Sequence, residues 1–180
     1  MRSAALLMTG GLLTTAVPAA TAAVSPAVAQ KGAALMFAKD TGGLTEPERI
    51  EMFKATGLLL SKDGKGFVDE VCSEPAGAEV EIRDMNADKV SEVLIIYGNG
   101  CLSGMTGSNV LLFIKDAAGK YRANFGFPGA TADPLPKKNL GYPDLQIGGP
   151  GFCFPVWRWN GKEYAPDHNE PQEPGGCDNH

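Results

Sequence analysis

Asp84, Asn86, Asp88 and Glu92 carry the strongest chemical signal in the chain. In the run Asp84-Met85-Asn86-Ala87-Asp88-Lys89-Val90-Ser91-Glu92, an oxygen-bearing side chain falls at every second position and again four residues on. A tight loop with that spacing turns those oxygens inward, and hard oxygen donors suit Ca²⁺. Three clustered carboxylates repel one another unless a cation or several backbone N–H groups neutralise them, and Arg83 and Lys89 stand ready to supply part of that charge. Two readings follow: a cation loop, or an Asx-type turn whose oxygens cap backbone N–H groups.

Trp157 and Trp159 alternate with Val156 and Arg158, so the two indoles share one face of a strand. Exposed, they form a stacking platform for a sugar or peptide; buried, they are core. Arg158 falls on the opposite face, in reach of an acid. Catalytic groups are scarce. The histidines are His168, in a polar tail, and His180, the last residue, so a Ser-His-Asp arrangement has no well-placed base. Gly148-Gly149-Pro150-Gly151 resembles a phosphate loop in composition alone, because no Lys-Ser/Thr follows.

The elements that position these residues begin after residue 29. Residues 1–29 read as a signal peptide, with a basic start at Arg2, an uncharged run Ala4–Val17 and small residues at Ala27-Val28-Ala29; Ala20-Thr21-Ala22 is a second cleavage candidate. The apolar core is shorter than the ~20 residues of a spanning helix. The expected product is periplasmic or secreted, with no membrane span. In that compartment Cys72, Cys101, Cys153 and Cys177 read as two disulfides. If strands near 78–83 and 93–98 form a hairpin, the numbers of facing residues sum to about 176, and those of Cys72 and Cys101 sum to 173. This favours Cys72–Cys101 and Cys153–Cys177, while Cys101–Cys153 stays open. A net charge of −5 with 16 Lys and Arg excludes a nucleic-acid binder of the usual basic kind.

Along the chain, 30–44 reads as a flexible lead-in. Thr45 and Glu48 make a capping-box pattern for a packing helix that Gly57 stops. Leu58–Val68 is a hairpin around Asp63-Gly64. Strands are expected at Glu79–Arg83, Val93–Tyr97, Asn109–Lys115, Tyr121–Phe125, Leu145–Ile147 and Phe154–Trp159. Val110–Ile114 is apolar throughout and reads as a central strand. Residues 126–142, with Pro128, Pro134 and Pro136, read as a long loop, and 166–180 as a polar tail. Residues 91–101 return at 143–153, aligning Glu92 with Asp144 and Cys101 with Cys153. Each copy then reaches a Gly-Lys turn followed by a tyrosine, Tyr121 or Tyr164.

With its flanking strands, the 80–95 run resembles the FG-GAP or VCBS calcium-loop repeat, and the stretch from Gly141 to Lys162 is similar to a group of exported bacterial proteins of unassigned function. The resemblance implies Ca²⁺ held by Asp84, Asn86, Asp88 and Glu92, with the Val90 carbonyl as a fifth ligand. Lys89 stands where the repeat has Gly, and the second copy lacks the acids before Asp144. The expected fold is α+β: a mostly antiparallel sheet from two blade-like repeats (about 78–125 and 140–165) in one β-rich domain over 45–165, with one N-terminal packing helix and disulfides. The expected function is a non-catalytic binding or interaction module whose partner is a protein or glycan of the cell envelope. The alternative is a hydrolase of envelope material using the acidic loop.

Overall fold

The computed structural model describes residues 25–178; most of the expected signal segment and His180 lie outside them. It is built mainly of antiparallel strands. After helices α1 (Pro26–Met36) and α2 (Glu46–Ala55), six strands form one sheet in sequential order: β1 (Leu59–Leu60), β2 (Phe67–Val68), β3 (Pro75–Arg83), β4 (Glu92–Gly98), β5 (Asn109–Lys115) and β6 (Tyr121–Pro128). A helical turn, α3 (Gly100–Ser103), interrupts the path from β4 to β5. Four more strands form a second sheet: β7 (Thr131–Asn139), β8 (Tyr142–Gly148), β9 (Cys153–Trp159) and β10 (Tyr164–Pro171). Among the described residues no helix is long and apolar enough to cross a membrane.

β5 organises the packing. Val110–Ile114 are all buried, and alternation sends them to two cores. Leu111 and Phe113 join Val93 and Ile95 against the helices, packing on Ala29, Met36, Met52 and Phe53. Val110, Leu112 and Ile114 join Leu94 and Phe125 against the second sheet, packing on Tyr142, Leu145, Ile147 and Tyr164. The first sheet is therefore the middle of three layers.

Several expectations need correction. The lead-in at 30–44 is helical up to Met36, so two helices cover the sheet instead of one. The stripe Ala29, Gly32, Ala33, Met36 follows helical spacing with small side chains, and a Cβ on Gly32 would stand 2.3 Å from the Phe53 ring. The bare backbone of Gly32 is what lets α1 and α2 approach. The long loop at 126–142 contains β7. Its Pro134 and Pro136 are tolerated because β7 is an edge strand, bulged between Pro134 and Lys138. The polar tail contributes β10, the other edge of that sheet, so the second strand group runs from 131 to 171 and not from 140 to 165.

The four-strand meanders β3–β6 and β7–β10 share their register. Val80 faces Ile95 and Ala132 faces Ile147, so both partners move by 52 (132 − 80; 147 − 95). Leu112 faces Phe125 and Val156 faces His168, offsets of 44 and 43 (156 − 112; 168 − 125). Each hairpin is bulged at the matching residue, Asn124 or Asp167, and each ends in proline, Pro128 or Pro171. The drop from 52 to 44 leaves eight extra residues between β4 and β5, where α3 stands. Cys101 sits in that extra segment and Cys153 begins β9, so the alignment of these two cysteines does not hold in space. The disulfides are Cys72–Cys101 and Cys153–Cys177.

Candidate ligand cleft and the acidic loop

The loop between β3 and β4 folds around its own oxygens. Asp84 accepts from the N–H groups of Ala87 (2.8 Å), Asp88 (3.1 Å) and Lys89 (2.9 Å). Asn86 Oδ1 accepts from the Asp88 N–H, and Asp88 accepts from the Val90 N–H and the Asn86 amide. These are Asx-turn contacts. Ala87 and Lys89 adopt positive φ, 66° and 70°. Among the described residues neither Arg83 nor Lys89 pairs with a loop acid; Arg83 pairs with Glu81 at 3.2 Å. Asp84, Asp88 and Glu92 do not bring three carboxylate oxygens within 4.8 Å of one another. Among the described residues the only set of three His, Cys, Asp or Glu ligand atoms that close is Asp69, Cys72 and Cys101, and the two sulfurs are bonded to each other. Asp69 is a structural anchor there. It accepts from the Cys72 and Glu74 N–H groups and the Asn99 amide, which hold its carboxyl below the ordinary range.

Glu92 stands apart from the loop acids. It is 2% exposed and accepts from the Met85 N–H (2.7 Å) and the Tyr142 hydroxyl (3.0 Å). Burial pushes its carboxyl above the usual range, the charges of Asp88 and Asp84 add to this, and the two donors oppose it. Burial first, then the neighbouring Glu92 charge, pushes the Tyr142 phenol up. The aligned acid, Asp144, is fully buried and gripped by Arg158 at 2.7 and 3.1 Å; Arg158 also holds Asp167 at 2.7 Å. Just before each acid lies the same contact: Tyr121 donates to the Ser91 carbonyl and Tyr164 to the Pro143 carbonyl, both at 2.8 Å.

The two tryptophans separate. Trp157 packs on Phe125 and Phe127, with ring centroids 4.6 and 5.4 Å away, and serves the second core. Its indole N–H is buried without a partner among the described residues. Trp159 packs on Tyr142 and Tyr164 (4.6 and 5.6 Å) and also walls a cleft of about 530 Å³ between the β5–β6 and β9–β10 hairpins. Both rings are partly buried against the second core, and of the two Trp159 lines the cleft. Lys115, Asp116, Arg122, Lys162 and Glu163 also line that cleft. Asn124, the bulge residue of β6, ties the hairpins together by accepting from the Tyr164 N–H (3.0 Å) and donating to the Lys162 carbonyl (3.1 Å). Glu92 reaches Trp159 through Tyr142, and is itself buried in the packed core behind the cleft wall.

Sequence reasoning missed Tyr142, Asn124 and the charged rim. The Gly-Lys turns before Tyr121 and Tyr164 were the available signal, since the cleft lies between those two turns. No family model, no curated protein and no solved structure matches the chain.

Proposed function

We propose that the protein is an exported, non-catalytic binding module of the cell envelope, built from two copies of one β unit that resembles the FG-GAP or VCBS repeat. The observation that carries the binding reading is the cleft between equivalent hairpins, with Trp159 as its wall and five ionisable residues around it. Its volume lies within the range of small-molecule sites. The shared register and the paired tyrosine contacts support the duplication. Two disulfides and the leader-like start support export. Cleavage after Ala22 suits the fold, because a cut after Ala29 would remove the first turn of α1 and the buried Ala29 methyl.

The hydrolase alternative is weaker. Glu92 is sealed from solvent, and His168 bonds Asp167 at 2.8 Å instead of a serine. Co-sedimentation with purified cell-wall material tests the choice. The binding reading expects the protein in the pellet, Trp159→Leu in the supernatant, and no soluble fragments released with time. Steady release of fragments would establish the hydrolase.

A calcium-stabilised loop is the second reading, favoured by the place of Asp84 and Asp88 beside Glu92, whose carboxyl burial first and then their charges push up. The N–H groups that Asp84 and Asp88 hold leave lone pairs on their oxygens free for a cation. Calorimetric titration is expected to show no heat below about 1 mM Ca²⁺. A stronger signal that Asp88→Ala abolishes would establish the cation loop.

A further inference from the structure

The rim of the cleft is cationic in a chain of net charge −5. Lys115, Arg122 and Lys162 line it against Asp116 and Glu163. Asp116 is engaged: it accepts from the Ala118 and Lys120 N–H groups and from Arg122 at 2.9 Å, contacts that keep it ionised. Lys115 stands 3.6 Å from Glu48 and over the Tyr121 ring. Lys162 has no ion-pair partner among the described residues. It sits in a turn fixed by Asn160, which accepts from the Lys162 and Glu163 N–H groups at 3.0 Å. The cleft therefore combines an aromatic wall, an unpaired cation on a rigid turn, and carboxylates able to accept from hydroxyl groups.

Resting on the binding reading above, we infer that this cleft takes an acidic saccharide, whose ring lies against Trp159 and whose carboxylate faces Lys162 and Arg122. A polyphosphate is disfavoured because, fully ionised, it offers no donor to Asp116 and Glu163, whereas sugar hydroxyls donate to both. A neutral sugar leaves Lys162 without a role.

The test uses a Trp157→Phe variant with its disulfides formed, in which Trp159 is the only indole. Trigalacturonate is expected to perturb its fluorescence at concentrations at least tenfold below those at which maltotriose acts. Lys162→Ala should weaken trigalacturonate about tenfold, the loss of one charge-assisted contact, and added salt should weaken it further. Equal binding of both sugars overturns the acidic-ligand inference and leaves the binding module standing. No response to either sugar, in protein that still sediments with cell wall through Trp159, also overturns it. Failure of both sugars and of sedimentation overturns the binding reading as well.

Discussion

Glu92 and Asp144 occupy matching places at the starts of β4 and β8, yet opposite means satisfy them. The register pairs Leu145 with Trp157, which sets Arg158 across from Asp144. The same register in the first sheet pairs Val93 with Phe113 and sets Ile114 across from Glu92. One carboxylate gains a guanidinium, and the other gains only a backbone N–H and a phenol. A cation offsets the cost of burying a carboxylate, whereas at Glu92 that cost outweighs the two neutral donors and raises the carboxyl above its usual range. The difference follows from which core each face meets. Ile114 packs between the two sheets, where an arginine would be stranded; Arg158 lies on the outer face of the second sheet, with its head partly in water.

The largest effect should come from Arg158→Met, which strands the Asp144 charge with no counter-ion. It is expected to lower the melting temperature more than any other substitution discussed here, and adding Asp144→Leu should restore most of the loss. A single variant as stable as the parent would break the comparison. Tyr142→Phe comes next. It removes one of the two donors to Glu92 and should cost about 1–3 kcal/mol in urea unfolding. A change within error would mean that Glu92 needs no phenol.

The third effect is a slope with pH. The native state holds the Glu92 proton above the ordinary ~4.3, so the unfolded chain releases it first. The stability contributed by this group is full below that value and is lost as pH rises through the native pKa. Asp69 and Asp116 work the other way, losing their contribution as pH falls through their lowered pKa values. With a chelator present, Glu92→Gln should flatten the decline in melting temperature as pH rises above the ordinary carboxyl range. Parallel curves for the two proteins would remove Glu92 as its source. The smallest effect is Lys89→Gly. Lys89 has φ 70° where the aligned Gly141 has φ 93°, and relieving that strain should stabilise by under about 1 kcal/mol. A loss would show that the Lys89 side chain contributes more than its backbone costs.

The readable parts of the fold were those with a strong local cause. Thr45 and Glu48 announced α2, where Glu48 accepts from the Thr45 N–H and hydroxyl at 2.8 Å. Val110–Ile114 announced a strand buried on both sides, and facing positions led to Cys72–Cys101. The misread parts had local signals pointing elsewhere. Ala29, Gly32 and Ala33 bury little apolar area, so their helical spacing was masked by the leader before them. Pro134 and Pro136 look like loop residues, and the edge position that tolerates them is a property of the sheet. The cleft was out of reach because its two walls lie about 45 residues apart in the chain and are tied by Asn124, whose role depends on a bulge.

The outer face of the second sheet has a further consequence. Where the first sheet presents Leu94, Ile114, Phe125 and Phe127 to its neighbour, the matching positions hold Gln146, Arg158, His168 and Glu170, set around the buried Phe154 and Val156. Gln146 bonds Glu170 at 3.0 Å and Arg158 bonds Asp167, which closes these groups on themselves. A third meander stacking there would bury that polar lattice and break its bonds. Any surface set against that face would have to desolvate these charged groups, which costs stability unless new partners replace the bonds lost.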